Sequence, residues 1–365
     1  MYLMLLSSPL GLLMIGAVIS LAVLGVVVYS GIRIGWMKNG YFTLPSVLLI
    51  VSGLFIVFQA LGSTVMIAAV GTHIEVHPLA ALSINGLAEL IVLLCGTVYL
   101  STAARQNLFA IFRLEGFHET PAQVYLLAVP IILVAQLGGS AISVLGEHVW
   151  KLFPSLYHAL DQYESASDAS VQGLVTAHGP MDFLLIMLFV AIVPALAEET
   201  LFRGFAQTNI ERSGKRQTRP YLALLVASIF FAMVHGSVFK FPGLLALGLA
   251  LGWMTYRTNN LFTGALAHAI NNGFIVVALY LNPEQFASKT TGNLVGTDEL
   301  SGTDALMVLA PVIVLMALLL FFFNKMTAPL QARRNAEREF EARLAFEHSV
   351  HLGTITDEHS THPNE

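Results

Sequence analysis

Three stretches carry the side chains best suited to chemistry: AEETLFRGF (197–205), IFFAMVHGS (229–237) and ALAHAINNGF (265–274). Read as helix, the first places Glu199 and Arg203 four residues apart on one face with the glutamate N-terminal, the arrangement that favours an ion pair. Glu198 is turned about 100° away and gains no partner from its own helix. An unpaired carboxylate in apolar surroundings is a stronger base than one in water, which suits general-base work near neutral pH. Phe231 and His235 share a face in the second stretch, as do His268 and Asn272 in the third. This set holds no good covalent nucleophile, and Thr200, Ser228, Ser237 and Thr263 show no Ser-His-Asp arrangement. Water is the natural alternative. Glu198 takes its proton, His235 holds and polarises it, and His268 with Asn272 donates to the oxyanion of a tetrahedral intermediate. That is hydrolysis of an amide without an acyl-enzyme. Glu198, His235 and His268 could instead ligate zinc, which accepts His₂Glu sites, but the chain has no HExxH; HIEVH (73–77) has a different spacing.

These stretches sit in a chain that avoids charge. Of 365 residues 56% are hydrophobic and 11% charged, against about 25% charged in a soluble domain. Apolar runs suited to a hydrocarbon core of about 30 Å fall at 9–31, 44–70, 79–101, 121–145, 181–210, 220–239, 242–256, 261–281 and 304–324. The seventh is short and depends on a turn from Lys240 to Gly243. The fold class is therefore an all-α polytopic transmembrane bundle of eight or nine spans. Polar groups at membrane depth cost several kcal/mol and mark functional paths. Counted at about 1.5 Å per residue, Glu198 lies roughly 21 Å from Arg212, His235 roughly 21 Å from Tyr221, His268 only roughly 10 Å from Leu261 and Asn272 roughly 16 Å. Helix tilt of about 20° closes part of that difference.

Basic residues accumulate in alternate loops: Arg33 and Lys38; Arg105 and Arg113; Arg212, Lys215, Arg216 and Arg219; Arg257; and Lys325, Arg333 and Arg334. Nine spans with the N-terminus outside and the C-terminus cytoplasmic satisfy every loop. The chain divides into N-terminal spans (1–146), an extracytoplasmic loop (147–180), the segment with the three stretches (181–281), a loop and last span (282–326) and a polar cytoplasmic tail (327–365). In that tail QARRNAEREFEARLAFEH reads as a charged helix and TITDEHSTHPNE as disordered. The start lacks the basic region of a signal peptide, so the first span reads as a mature helix. The single cysteine, Cys95, forms no intrachain disulfide. The net charge of −5 leaves no footprint for nucleic acid.

EETLFR (198–203), FAMVH (231–235) and HAINN (268–272) resemble the EExxxR, FxxxH and HxxxN motifs of the CAAX protease and bacteriocin-processing (CPBP, or Abi) family, which includes the type II CAAX prenyl endopeptidases. The resemblance covers about residues 181–281. It implies an intramembrane peptidase in which Glu198 and His235 activate water, His268 and Asn272 form the oxyanion hole, and Glu199 and Arg203, with Phe231, hold the site. The implied partners are the bilayer and a membrane-embedded or lipidated protein or peptide. It leaves metal use open, the family having been described both as metal-dependent and as a metal-free glutamate-type protease; the expectation is no cofactor, with zinc as the alternative. Bland readings stand beside these roles: a structural Glu199–Arg203 pair, interhelical hydrogen bonding by Glu198, His235, His268 and Asn272, a structural Asn271, and bundle contacts for Asn85, Glu89 and Gln136. Gly248 and Gly252 read as a small-xxx-small packing face. The rival function classes are a membrane scaffold that keeps the polar cluster for assembly and a proton-coupled transporter.

Overall fold

Only helices satisfy their own backbone hydrogen bonds in lipid, and runs of Leu, Val, Ile and Ala form them here. The computed structural model describes residues 9–70, 77–175, 177, 179–214, 219–281 and 301–359. Its helices are α1 (Pro9–Arg33), α2 (Leu44–Val70), α3 (Pro78–Ala103), α4 (Leu108–Ile111), α5 (Ala122–Trp150), α6 (Pro154–Val175), α7 (Pro180–Arg212), α8 (Arg219–Val234), α9 (Phe241–Thr258), α10 (Leu261–Leu281) and α11 (Gly302–His359). One antiparallel hairpin, β1 (Met37–Lys38) with β2 (Tyr41–Phe42), interrupts the all-helical chain. Its turn is Asn39–Gly40, both at positive φ (54° and 79°), the pair that two-residue hairpins favour.

The protein is a polytopic helical membrane protein. Seven of the described helices, α1, α2, α3, α5, α7, α10 and α11, are long and apolar enough to cross a bilayer, and α8 contributes a shorter apolar helix, Pro220–Val234. The sequence suggested eight or nine spans. The difference lies in α8, which has 16 residues, and α9, which has 18, about 24 and 27 Å of helix. Both pack among their neighbours, and one apolar cluster reaching from Leu13 through Ile131, Phe205, Phe231 and Leu251 to Phe323 joins them to the rest.

The stretch 147–180, expected as an extracytoplasmic loop, contains α6. One further expectation is corrected: TITDEH (354–359), read as disordered, continues α11 to His359. Residues 360–365, His73, Lys215, Arg216 and the loop 282–300 lie outside the described residues. The first part of the tail is docked rather than wholly solvated. Gln331 Nε2 donates to the carbonyls of Tyr256 and Arg257 (3.1 and 2.6 Å) and Arg334 Nη1 to that of Tyr256 (2.8 Å).

Candidate active site

The second half of α7 departs from regular α-helix. Thr200–Gln207 is π-helical, directly after Glu198 and Glu199, and Met187–Ile192 is a second π-helical stretch. Such bulges recur at functional sites because they re-aim side chains and free backbone groups. At the first, Glu199 and Arg203 are fully buried and paired at 2.8 Å. Glu199 Oε1 also lies 3.1 Å from His268 Nδ1. A carboxylate paired with arginine can only accept, so His268 carries its proton on Nδ1 and is held through it. Arg203 Nη2 donates to the Gly248 carbonyl (3.2 Å), and its guanidinium stacks on the Phe231 ring at 4.4 Å. The small face at Gly248 and Gly252 thus does more than pack helices: it exposes the α9 carbonyls that Arg203 and Gln207 reach. Gly264 lets α10 approach closely, since a Cβ there would lie 2.9 Å from Glu199 Oε2.

Phe231 is the hub. Its ring is 4.7 Å from that of His235 and 5.6 Å from that of His268. The α8 helix stops at Val234 because Gly236 takes a left-handed conformation (φ 68°), the usual glycine termination. His235 therefore stands in the turn rather than in the span. Its Nδ1 is 2.6 Å from the Phe231 carbonyl; a carbonyl only accepts, so Nδ1 carries the proton and Nε2 is the nitrogen left for chemistry. Asn272 donates from Nδ2 to the Val190 carbonyl (3.1 Å), inside the other π-helical stretch.

His235, His268, Asn272 and Phe231 line one cavity of about 340 Å³. Asn271, read from sequence as structural, also lines it, and its buried Oδ1 has no hydrogen-bond partner among the described residues. Glu198 does not line it. Its Oε2 is buried with no hydrogen-bond partner among the described residues, and its carboxyl stands close enough to that of Glu89 on α3 for one charge to repel the other. The zinc alternative does not fit this arrangement: among the described residues no three His, Cys, Asp or Glu side chains come together as a ligand set.

Residues 180–274 match the family described as type II CAAX prenyl endopeptidase, Rce1-like. This segment resembles that family. All three motifs fall inside the Rce1-like segment, from Glu198 to Asn272. The chain is also similar to the membrane-embedded CAAX protease MroQ of Staphylococcus aureus (strain USA300), 31% identical over 109 residues. That match takes in 29% of this chain and 44% of the relative, so the chain spans less than half of the relative's length. No solved structure matches the chain.

Several cavity residues lie outside the Rce1-like segment and were not singled out from sequence. Ser140 and Ser143 come from α5, and Tyr163, Glu164 and Asp168 from α6. Gln136 was noted as a polar residue at depth, and it too lines the cavity. The available signal for α6 was its own sequence: Pro154 at the start, then YHALDQYESASDAS without Gly or Pro, with Glu164 and Asp168 one turn apart.

Proposed function

We propose that the chain is an intramembrane endopeptidase that hydrolyses a peptide bond of a membrane-associated, lipidated or hydrophobic protein or peptide. The observation that carries this reading is the family match over 180–274, the span that holds all three motifs. Part of the site's geometry supports it, and Glu198, which does not line the cavity, has to reach the water of His235 from outside that lining. His235 and His268 share one cavity, each with Nδ1 committed to the protein, and Glu198 keeps an oxygen without a protein donor. In the proposed reaction Glu198 accepts a proton from water held by His235 Nε2, and the hydroxide oxygen bonds to the scissile carbonyl carbon. His268 and Asn272 donate to the resulting oxyanion. His268 serves there through Nε2, which requires both ring nitrogens to be protonated while Glu199 holds Nδ1. The tetrahedral intermediate collapses with cleavage of the C–N bond, and the proton held by Glu198 passes to the leaving amine. Glu199, Arg203 and Phe231 keep the two histidines in register.

On the positive-inside pattern, the proposed orientation is N-terminus outside and C-terminus in the cytoplasm, with nine crossings. The test is turnover by purified full-length protein of a panel of lipidated and hydrophobic peptides. The Glu198→Ala and His235→Ala variants are expected to stay folded and to lose at least about 10³-fold in kcat, the scale of removing a general base together with its water. A scaffold gives no turnover in any form, and a transporter gives proton flux in proteoliposomes that Glu198→Ala abolishes.

A further inference from the structure

We propose that Glu164, on α6 and outside the Rce1-like segment, is a positioning residue that clamps the turn carrying His235; this rests on the peptidase reading above. In the turn from Gly236 to Lys240 the Gly236 amide reaches the Met233 carbonyl (3.1 Å) and the Lys240 amide reaches Ser237 Oγ, while those of Val238 and Phe239 need an acceptor from elsewhere. Glu164 supplies it. Its Oε1 accepts from the backbone N–H of both Val238 (2.6 Å) and Phe239 (3.0 Å), and its Oε2 accepts from Ser237 Oγ. Ser237 Oγ in turn accepts from the Lys240 amide at 3.0 Å. The Glu164 side chain is buried, at 6% exposure. Without it, two amides would stay unpaired in a part-buried setting.

The clamp has further points on the same helix. Asp168, one turn on from Glu164, pairs with Lys240 at 2.5 Å. Tyr157, about two turns before Glu164, lays its ring 5.4 Å from that of Phe239. Tyr157 OH is tied to Glu147 at the end of α5 (3.0 Å). So α6 grips the turn at Ser237–Lys240, immediately after His235, and both line the same cavity. His235 needs this more than His268 does. His268 sits inside a helix with Glu199 against it. His235 follows the last residue of α8 and precedes a left-handed glycine, so its ring is placed by its bond to the Phe231 carbonyl and by whatever fixes the turn.

The test uses full-length protein and two readouts. Glu164→Ala is expected to lower kcat by about ten- to a hundredfold with KM within about threefold, as misplacing a reacting group by about 1 Å does. Glu164→Gln keeps an acceptor oxygen for both amides and is expected to stay within about threefold of the parent kcat. Independently of activity, Glu164→Ala should speed hydrogen–deuterium exchange of the 236–240 segment by at least about tenfold, leaving α10 unchanged. The proposal is overturned if exchange at 236–240 is unaffected, if Glu164→Ala leaves kcat intact, or if it raises KM alone, which would make α6 a substrate contact. If the parent protein cleaves no peptide, the peptidase reading fails, and the exchange result still decides whether Glu164 clamps the turn.

Discussion

At the level of single residues, the ion pair between Glu199 and Arg203 is the site's internal support. Both groups are fully buried, and a buried pair that loses one member leaves an uncompensated charge. Glu199→Gln is therefore expected to destabilise by about 3–5 kcal/mol, while Glu199→Gln combined with Arg203→Met costs less than Glu199→Gln alone; thermal or denaturant unfolding of the two variants compares them. Both changes replace the carboxylate against His268 Nδ1 with a neutral amide, which weakens that contact, so both should also lower kcat. The pairing was legible in the sequence because a four-residue spacing depends only on helix geometry. The contact between Glu199 and His268 was not. Depth counted from helix ends placed His268 far shallower than Glu198, the residue beside Glu199, yet polar atoms of Glu199 and His268 meet at 3.1 Å. Such counting assumes level helix ends and uniform rise, and α7 runs through two π-helical stretches.

Among the elements, the close approach of α10 to α7 depends on Gly264, where an added Cβ would lie 2.4 Å from Thr255 Oγ1 and 2.9 Å from Glu199 Oε2. Gly264→Val is expected to push α10 outward and cut kcat by at least about tenfold, while Gly179→Ala, where a Cβ meets nothing within 4 Å, changes neither stability nor turnover; parallel kinetics and melting curves on the two variants check this. The sequence revealed the long apolar helices because their signal is strong and continuous. It under-read α6, whose polar composition looks like a loop although its polar groups are the ones that reach Ser237–Lys240. The hairpin at Asn39–Gly40 was there to be read as a turn dipeptide between two short strands. Its anchoring, by Phe42 N–H donating to Asn209 Oδ1 at 2.8 Å, joins residues 167 apart in the chain and has no local signature.

For the molecule as a whole, the number of crossings decides on which side the ends of the bundle fall. Asn39 and Ala336 are both exposed, and nine spans place them on the same side, whereas eight place them on opposite sides. After Cys95→Ser, single cysteines at Asn39 and Ala336 are expected to react with an impermeant thiol reagent only from the cytoplasmic face. The basic residues of alternate loops are what the expected orientation rests on, but length alone could not decide whether α8 and α9 cross, because both are short. The assembly gathers its cavity from α5, α6 and the Rce1-like segment together. The proposed reaction comes down to one carboxylate, Glu198, so the most direct measurement is the turnover number of purified Glu198→Gln against the parent protein on a lipidated peptide, with folding checked by melting. The account predicts an unchanged melt and a fall in kcat of at least about 10³-fold; a Glu198→Gln protein that cleaves the peptide as fast as its parent would contradict it.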